Sequence, residues 1–423
     1  MLRSTRRTLV AVALTGTLAL TACGGGSEDT AAEGGDSVTM WARAATSSQS
    51  QALVDAYNAS HDTQVQLTVV PTDNYLQKVG VAAGSQDLPC LLASDVVYAP
   101  DFISKNLFQD LTDRVDALPF AGDLAPAHMQ QGTVDGAKYV LPHTIGMSAV
   151  FQNDVLLQRA GIDPAVPITS LEQLAENATK VAALGPDVTG LYFTGNNGGS
   201  IAFTHFPTVW ASGGQVLSED GESATLDDPK TAAAFQVFND LYKAGVVPDS
   251  ARNETGATRN EVFAGGNVGY MLASNSVLET VDETDQLKIG VQGIPGVDGG
   301  VSTFVGGDVI GISSSCEQAD AAWDFLEWSV GDEAQVQVYA KAHQLTVRTD
   351  LAANEFSAED QRVQKLNELV ADGQTPNSVK FGQTFNDPQG PWLAVARDAL
   401  FGDAPAAQSL AAGQDAVTES LAP

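Results

Sequence analysis

Apolar positions in this chain alternate between two rhythms. Short runs with the twofold period of strands are separated by stretches whose apolar residues recur at helical spacing. Residues 37–41 read as a strand ending in an aromatic, 48–60 as a helix, 64–70 as a second strand, 74–83 as a helix and 91–98 as a third strand. Strand–helix alternation at this pace implies parallel crossovers with helices on both sheet faces. Ligands of such sheets bind outside the carboxyl ends of the strands. That rule places Trp41, Arg43, Asp95 and Asp101 at one rim.

The run 134–153 (VDGAKYVLPHTIGMSAVFQN) interrupts this rhythm. The dipeptide Asp135-Gly136 marks a turn. A strand over 139–141 is expected to stop at Pro142, because proline donates no ladder hydrogen bond. A second extended run, 148–151, then enters another α/β unit, so 134–153 reads as a hinge between two lobes. Beyond it, helices are expected at 154–160, 170–184, 201–211, 228–244, 319–330, 357–371 and 391–400, with strands at 190–194 and 268–272. Residues 404–423 have helical composition. Ser170 and Gln173 are spaced as a capping box. The Gly-rich run 195–200 lacks the lysine of a phosphate loop and the spacing of a dinucleotide fingerprint, and reads as a loop. Residues 304–313 read as a second extended crossing, and 340–347 as a connector.

The first residues change the address. Arg3, Arg6 and Arg7 precede an apolar run, 8–20, that is too short to span a ~30 Å hydrocarbon core. This is the pattern of a signal peptide. The closing Leu20-Thr21-Ala22-Cys23 resembles a bacterial lipobox, which implies a lipidated Cys23 at the start of the mature chain. The other reading is an ordinary signal peptide with an incidental cysteine. Residues 24–37 (GGGSEDTAAEGGDS) have the composition of a flexible tether. Outside the membrane, Cys90 and Cys316 can form a disulfide or remain separately buried thiols; the bridge is the expectation.

Composition narrows the function mostly by exclusion. With 43% hydrophobic residues in 423, the chain has material for two cores. The formal net charge of −31 argues against nucleic acid and anionic lipid as partners. The histidines show no metal-ligand spacing, and no GxSxG elbow, HExxH, CxxC or Walker lysine is present. Neither a metal, a cofactor nor an enzymatic activity is expected.

With these features in place, the chain resembles the extracellular solute-binding lipoproteins of ABC importers, in particular the carbohydrate-binding group related to maltose-binding protein. The resemblance rests on Val38-Thr39-Met40-Trp41, Asp95-Val96-Val97-Tyr98, the stretch from Asp135 to Pro142, Val262-Phe263-Ala264-Gly265-Gly266, and Gly306-Gly307-Asp308-Val309-Ile310-Gly311-Ile312. It implies an α/β, two-lobed periplasmic-binding-protein-like fold of type II. Each lobe would be a central sheet flanked by helices, joined by hinge crossovers. The boundaries expected are a signal peptide at 1–22, a tether at 23–37, one lobe from 38–142 with 307–346, and the other from 143–306 with 347–423.

The resemblance further implies a monomer that captures a sugar and hands it to permease subunits, touching the membrane only through its lipid anchor. Ligand-binding positions carried over from it are Tyr98, Asp101, His143, Thr144, Asn275, Gly307, Asp308 and Trp392. Trp41, Arg43, Asp95, His205 and Trp210 join them as rim or aromatic candidates. Where maltose-binding protein has a Trp-rich segment, this chain has Ala273-Ser274-Asn275-Ser276-Val277, with fewer stacking faces. A polyol or polyamine is the alternative solute, the latter drawing on Asp95, Asp101 and Asp308. A secreted, lipidated hydrolase is the alternative class.

Overall fold

The computed structural model describes residues 37–422. Cys23 and the expected signal and tether segments lie outside them, apart from Ser37. The principal sheet has eight strands, here β1 (Ser37–Arg43), β2 (Gln64–Val70), β3 (Leu91–Asp95), β4 (Leu141–Asn153), β5 (Thr189–Tyr192), β6 (Val268–Ser274), β7 (Ile289–Gln292) and β8 (Val305–Ile312). Their order is β2-β1-β3-β8-β4-β6-β5, with β7 also paired to β4. The longer helices are α1 (Ser47–Ser60), α2 (Tyr75–Ser85), α3 (Leu171–Ala182), α4 (Gly198–Ala211), α5 (Pro229–Lys243), α6 (Ala319–Ser329), α7 (Gln361–Val370), α8 (Pro391–Phe401) and α9 (Ala406–Leu421).

Two lobes share this sheet through β4 and β8. The first half of β4 pairs antiparallel with β8, from Leu141↔Ile310 to Met147↔Val305. Its second half pairs with β6 and β7. β8 in turn pairs antiparallel with β3, which lies parallel to β1. The expectation of purely parallel crossovers therefore holds for β1–β3 and for β5–β6, while the crossing strands run against them.

Pro142 does not end the strand. β4 runs without a break through Pro142, and residues 139 and 140 precede it outside any strand. Only the hairpin Thr133–Val134 and Ala137–Lys138 forms upstream, turned by Asp135 and Gly136 at φ of 51° and 85°. The reason is a bulge. Asp308 faces Thr144 and Val309 faces Pro142, so His143 is an extra residue with no partner. A bulge is where a strand tolerates a proline.

Other departures are equally local. β3 stops at Asp95, and Val96–Tyr98 forms a 3-10 turn because the Asp95 carboxylate accepts from Val97 N. The Gly-rich run read as a loop supplies the first turn of α4, capped by the Asn197 side chain on Ser200 N at 2.9 Å. At α3 the cap is offset by one residue: Ser170 Oγ accepts from Gln173 N, but Gln173 Oε1 accepts from Thr169 N. Cys90 and Cys316 are joined, with their Cα atoms 4.6 Å apart, tying the start of β3 to the segment after β8.

Candidate functional site

The carboxyl ends of β1 and β3 meet the middle of β8, and the residues there are charged. Arg43 closes β1, Asp95 closes β3, and Asp308 faces both Asp95 and Thr144 in the sheet register. Arg43 Nη1 donates to Asp95 at 2.9 Å and Arg43 Nε to Asp308 at 3.0 Å, with a further Nη2 contact to Asp308. Thr46 Oγ1 donates to the second Asp308 oxygen at 2.6 Å. Asp308 is fully buried and Arg43 nearly so. Burial opposes the guanidinium charge, but Asp308 and then Asp95 outweigh it and hold Arg43 well above its ordinary pKa. Burial raises Asp95, and Arg43 opposes that rise.

Glycine is required where the crossing strands touch. Gly307 has φ of 104°, and a Cβ there would lie 2.1 Å from Thr144 O. The close approach lets Thr144 Oγ1 accept from Asp308 N at 2.9 Å. His143, displaced by the bulge, places Nε2 2.8 Å from Ser50 Oγ on α1. Burial lowers its pKa to about 4, with Asp308 opposing.

A cavity of about 640 Å³ opens above the ion pairs. Arg43, Thr72, Tyr75, Leu76, Asp95 and Tyr98 form one wall; Asn197, Gly382, Gln383, Asn386, Asp387 and Pro388 form the other. Asn386 Nδ2 bridges the walls to the Tyr98 hydroxyl at 2.9 Å. Burial and then Asp95 push the Tyr98 phenol up to about 12, so it stays protonated. Tyr98 also lines an adjoining groove with Asp101, whose carboxylate pairs with Lys105 at 2.6 Å. Asn275 lines a separate cavity of about 530 Å³ with Ser48, Glu279 and His343. Its own side chain is committed to β4, accepting from Met147 N at 2.9 Å.

Several candidates lie elsewhere. Trp392 has no exposed surface; it packs against Phe206, Phe235 and Phe385, and its Nε1 donates to Gly198 O at 3.0 Å. It is a core aromatic, not a face presented to a solute. The same correction applies to His205, sealed among Phe193, Phe235 and Phe238. Trp210 packs on Phe206 and Phe304 and lines a different cavity with Gln130 and Gln374. Trp41 lies under the Lys78 ammonium, 4.0 Å from the ring centroid, and lines neither of the two cavities. His143, Thr144 and Asp308 lie buried in the crossing beneath the cavity.

The sequence reading missed Thr72, Tyr75, Asn197 and Asn386. Thr72 and Tyr75 follow the carboxyl end of β2, so the rim rule that selected Arg43 would have reached them. Asparagine is a preferred helix-cap residue, a signal at Asn197 that the loop reading of 195–200 passed over. Asn386 carried no signal, since only folding brings it opposite Tyr98.

The half-buried Tyr98 ring beside carboxylate and amide groups suits a hydroxylated solute: a ring face meets C–H surfaces, and polar tips fix orientation. Among the described residues, none of the helices is long and apolar enough to cross a membrane.

Comparison with known proteins gives the same fold. The cyclic α-maltosyl-1,6-maltose binding protein of Arthrobacter globiformis superposes with a TM-score of 0.78 at 25% identity, over 92% of this chain and 99% of its own. The sugar-binding protein MalE of Xanthomonas citri gives 0.79 at 16% identity, over 91% and 97%. A Brucella abortus protein, named only as a binding protein, is 24% identical over 265 residues. That match covers 62% of this chain and 62% of the relative's length. The family profile described as bacterial extracellular solute-binding protein matches residues 52–365. With two lobes sharing crossing strands and most of its length matched, this chain belongs to the bacterial extracellular solute-binding proteins.

Proposed function

We propose that the chain is the extracytoplasmic solute-binding component of an ABC importer, capturing a sugar or oligosaccharide between its lobes and delivering it to a permease. The observation that carries this reading is the cavity bridged by Tyr98 and Asn386, with Tyr75 and Asp95 on its wall. The sugar ligands of the Arthrobacter and Xanthomonas neighbours support the solute class. Bending at the crossings near 142/143, 306/307 and 346/347 would open and close the cleft. Lipidation at Cys23 would hold the body at the outer face of the membrane.

The site's own chemistry weighs against the alternatives. Asp95 and Asp308 share the single charge of Arg43, and Asp101 pairs with Lys105, so the three carboxylates a polyamine would draw on are already engaged. The Ser50–His143 pair has the contact of a nucleophile and base, but both residues are buried and His143 Nδ1 has no orienting partner. We therefore propose a binding protein that releases its solute unchanged.

The test is a thermal-shift and tryptophan-fluorescence screen of the purified protein against sugars, polyols and polyamines. A sugar that binds only the folded state raises the melting temperature by mass action. A polyamine shift with no sugar shift would overturn the reading, and so would recovery of a cleaved sugar.

A further inference from the structure

A second arginine stands at the carboxyl edge of β5 and β6, in a setting opposite to that of Arg43. Arg259 Nη2 donates to Ser274 Oγ at 2.9 Å, and its Nε makes a longer contact with Asn260. No carboxylate of the described residues forms an ion pair with it. In a chain with 52 acidic and 21 basic residues, a half-buried guanidinium without a carboxylate in ion-pair contact is unusual, because its desolvation is not directly offset. Burial lowers its pKa, with Glu254 opposing.

Three polar atoms converge beside it where a side chain is missing. A Cβ built on Gly256 would lie 3.9 Å from each of Arg259 Nη1, Ser200 Oγ and Thr194 Oγ1. Thr194 is buried, and its hydroxyl has no hydrogen-bond partner. Ser200 lies in the first turn of α4, whose amino end adds positive potential. The neighbouring carboxylate of Glu254 is already engaged. It accepts from Gly256 N at 2.7 Å, Thr258 N at 3.2 Å, Thr258 Oγ1 at 2.5 Å and Tyr192 OH at 3.2 Å. A buried unpaired hydroxyl and a donor-only guanidinium close to one position have room between them for an acceptor that can take several hydrogen bonds. A carboxylate supplies one in the planar geometry arginine favours.

We infer that Gly256, Arg259, Thr194 and Ser200 form a subsite for the carboxylate of an acidic sugar. Asn197, three residues before Ser200, lines one of the two cavities, and Asn275, which follows the Ser274 bonded to Arg259, lines the other. This rests on the sugar-binding reading and narrows it to uronate-containing solutes. Arg43, with its charge already matched, contributes nothing to that selectivity.

Calorimetric titration with a uronate-containing disaccharide and its neutral counterpart tests the subsite. The acidic sugar is expected to bind at least tenfold tighter, a preference that falls with added salt. Arg259→Gln should abolish the preference while leaving neutral-sugar affinity within a few fold. Should Arg259→Gln not fold, Thr194→Val, which keeps the side-chain shape, should still weaken acidic-sugar binding several-fold. Equal or tighter binding of the neutral sugar would overturn the subsite and leave the sugar reading standing. Binding of neither sugar would overturn both.

Discussion

Asn386 and Tyr98, 288 residues apart in sequence, share a 2.9 Å hydrogen bond that spans the two walls of the cavity. Gly382 reinforces the contact, since a Cβ there would lie 2.7 Å from the Tyr98 ring. Together they make the segment 382–386 the point where the far wall rests on the near one. A neutral hydrogen bond contributes about 1 kcal/mol. Tyr98→Phe and Asn386→Ala should each weaken solute binding roughly fivefold, with little change in unfolding midpoint. Gly382→Ala should hold the walls apart, detectable as a larger radius of gyration in small-angle scattering with saturating solute. Unchanged affinity in both single variants would remove the contact from the closing mechanism.

The Arg43 network carries a stability prediction. Arg43→Met leaves Asp308 charged and fully buried without its partner. Breaking a buried pair from one side costs about 3–5 kcal/mol. Pairing it with Asp308→Asn should restore much of the loss, because the fully buried charge is then gone and only the more exposed Asp95 is left unpaired. Urea unfolding of both variants measures this. A double variant no more stable than Arg43→Met would count against the pairing argument.

Acid should destabilise the protein before its carboxylates titrate. Burial lowers His128 and His143 to about 4 and His205 to about 3. Free histidine titrates near 6.5. Below that pH the unfolded chain takes up protons that the folded chain refuses, so stability falls from about pH 6.5 toward pH 4. Each histidine contributes up to ~1.4 kcal/mol per pH unit in that window. Asp95, raised by burial, works in the opposite sense. His205→Phe, placed among Phe193, Phe235 and Phe238, should make the pH dependence of urea stability shallower between pH 6 and 5. An identical slope would mean that His205 accepts its proton in the folded state.

Trp392 separates packing from recognition. Its ring fills the space between Phe206, Phe235 and Phe385. Trp392→Ala should cost about 3–5 kcal/mol in stability, while the folded fraction keeps its solute affinity. Combined calorimetric titration and denaturant unfolding distinguishes the two effects. Lost affinity at unchanged stability would return Trp392 to the site.

Much of the fold was readable because burial imposes a period on the sequence. β2 lies within the bounds that alternation set for it, α5 is shorter than its expected span by a residue at each end, and α8 runs one residue past its expected end. Errors arose where a side chain overrode the local pattern, as when Asp95 turned the end of β3 and Asn197 recruited a glycine run into α4. Pro142 was misjudged for a tertiary reason, since the bulge that accommodates it requires β8 alongside.

The sequence by itself determined the alternation of strands and helices, the acidic surface, and which residues stand at strand ends. Those properties depend on near neighbours and on composition. Tertiary structure alone decided which of those residues share a space. The same residue type met opposite surroundings: Arg43 pairs with Asp95 and Asp308, while Arg259 donates to Ser274 with no carboxylate of the described residues in ion-pair contact. Trp392 was drawn into a core while the half-buried Tyr98 came to line a cavity. Such outcomes turn on contacts between segments far apart in the chain, and no local pattern encodes them.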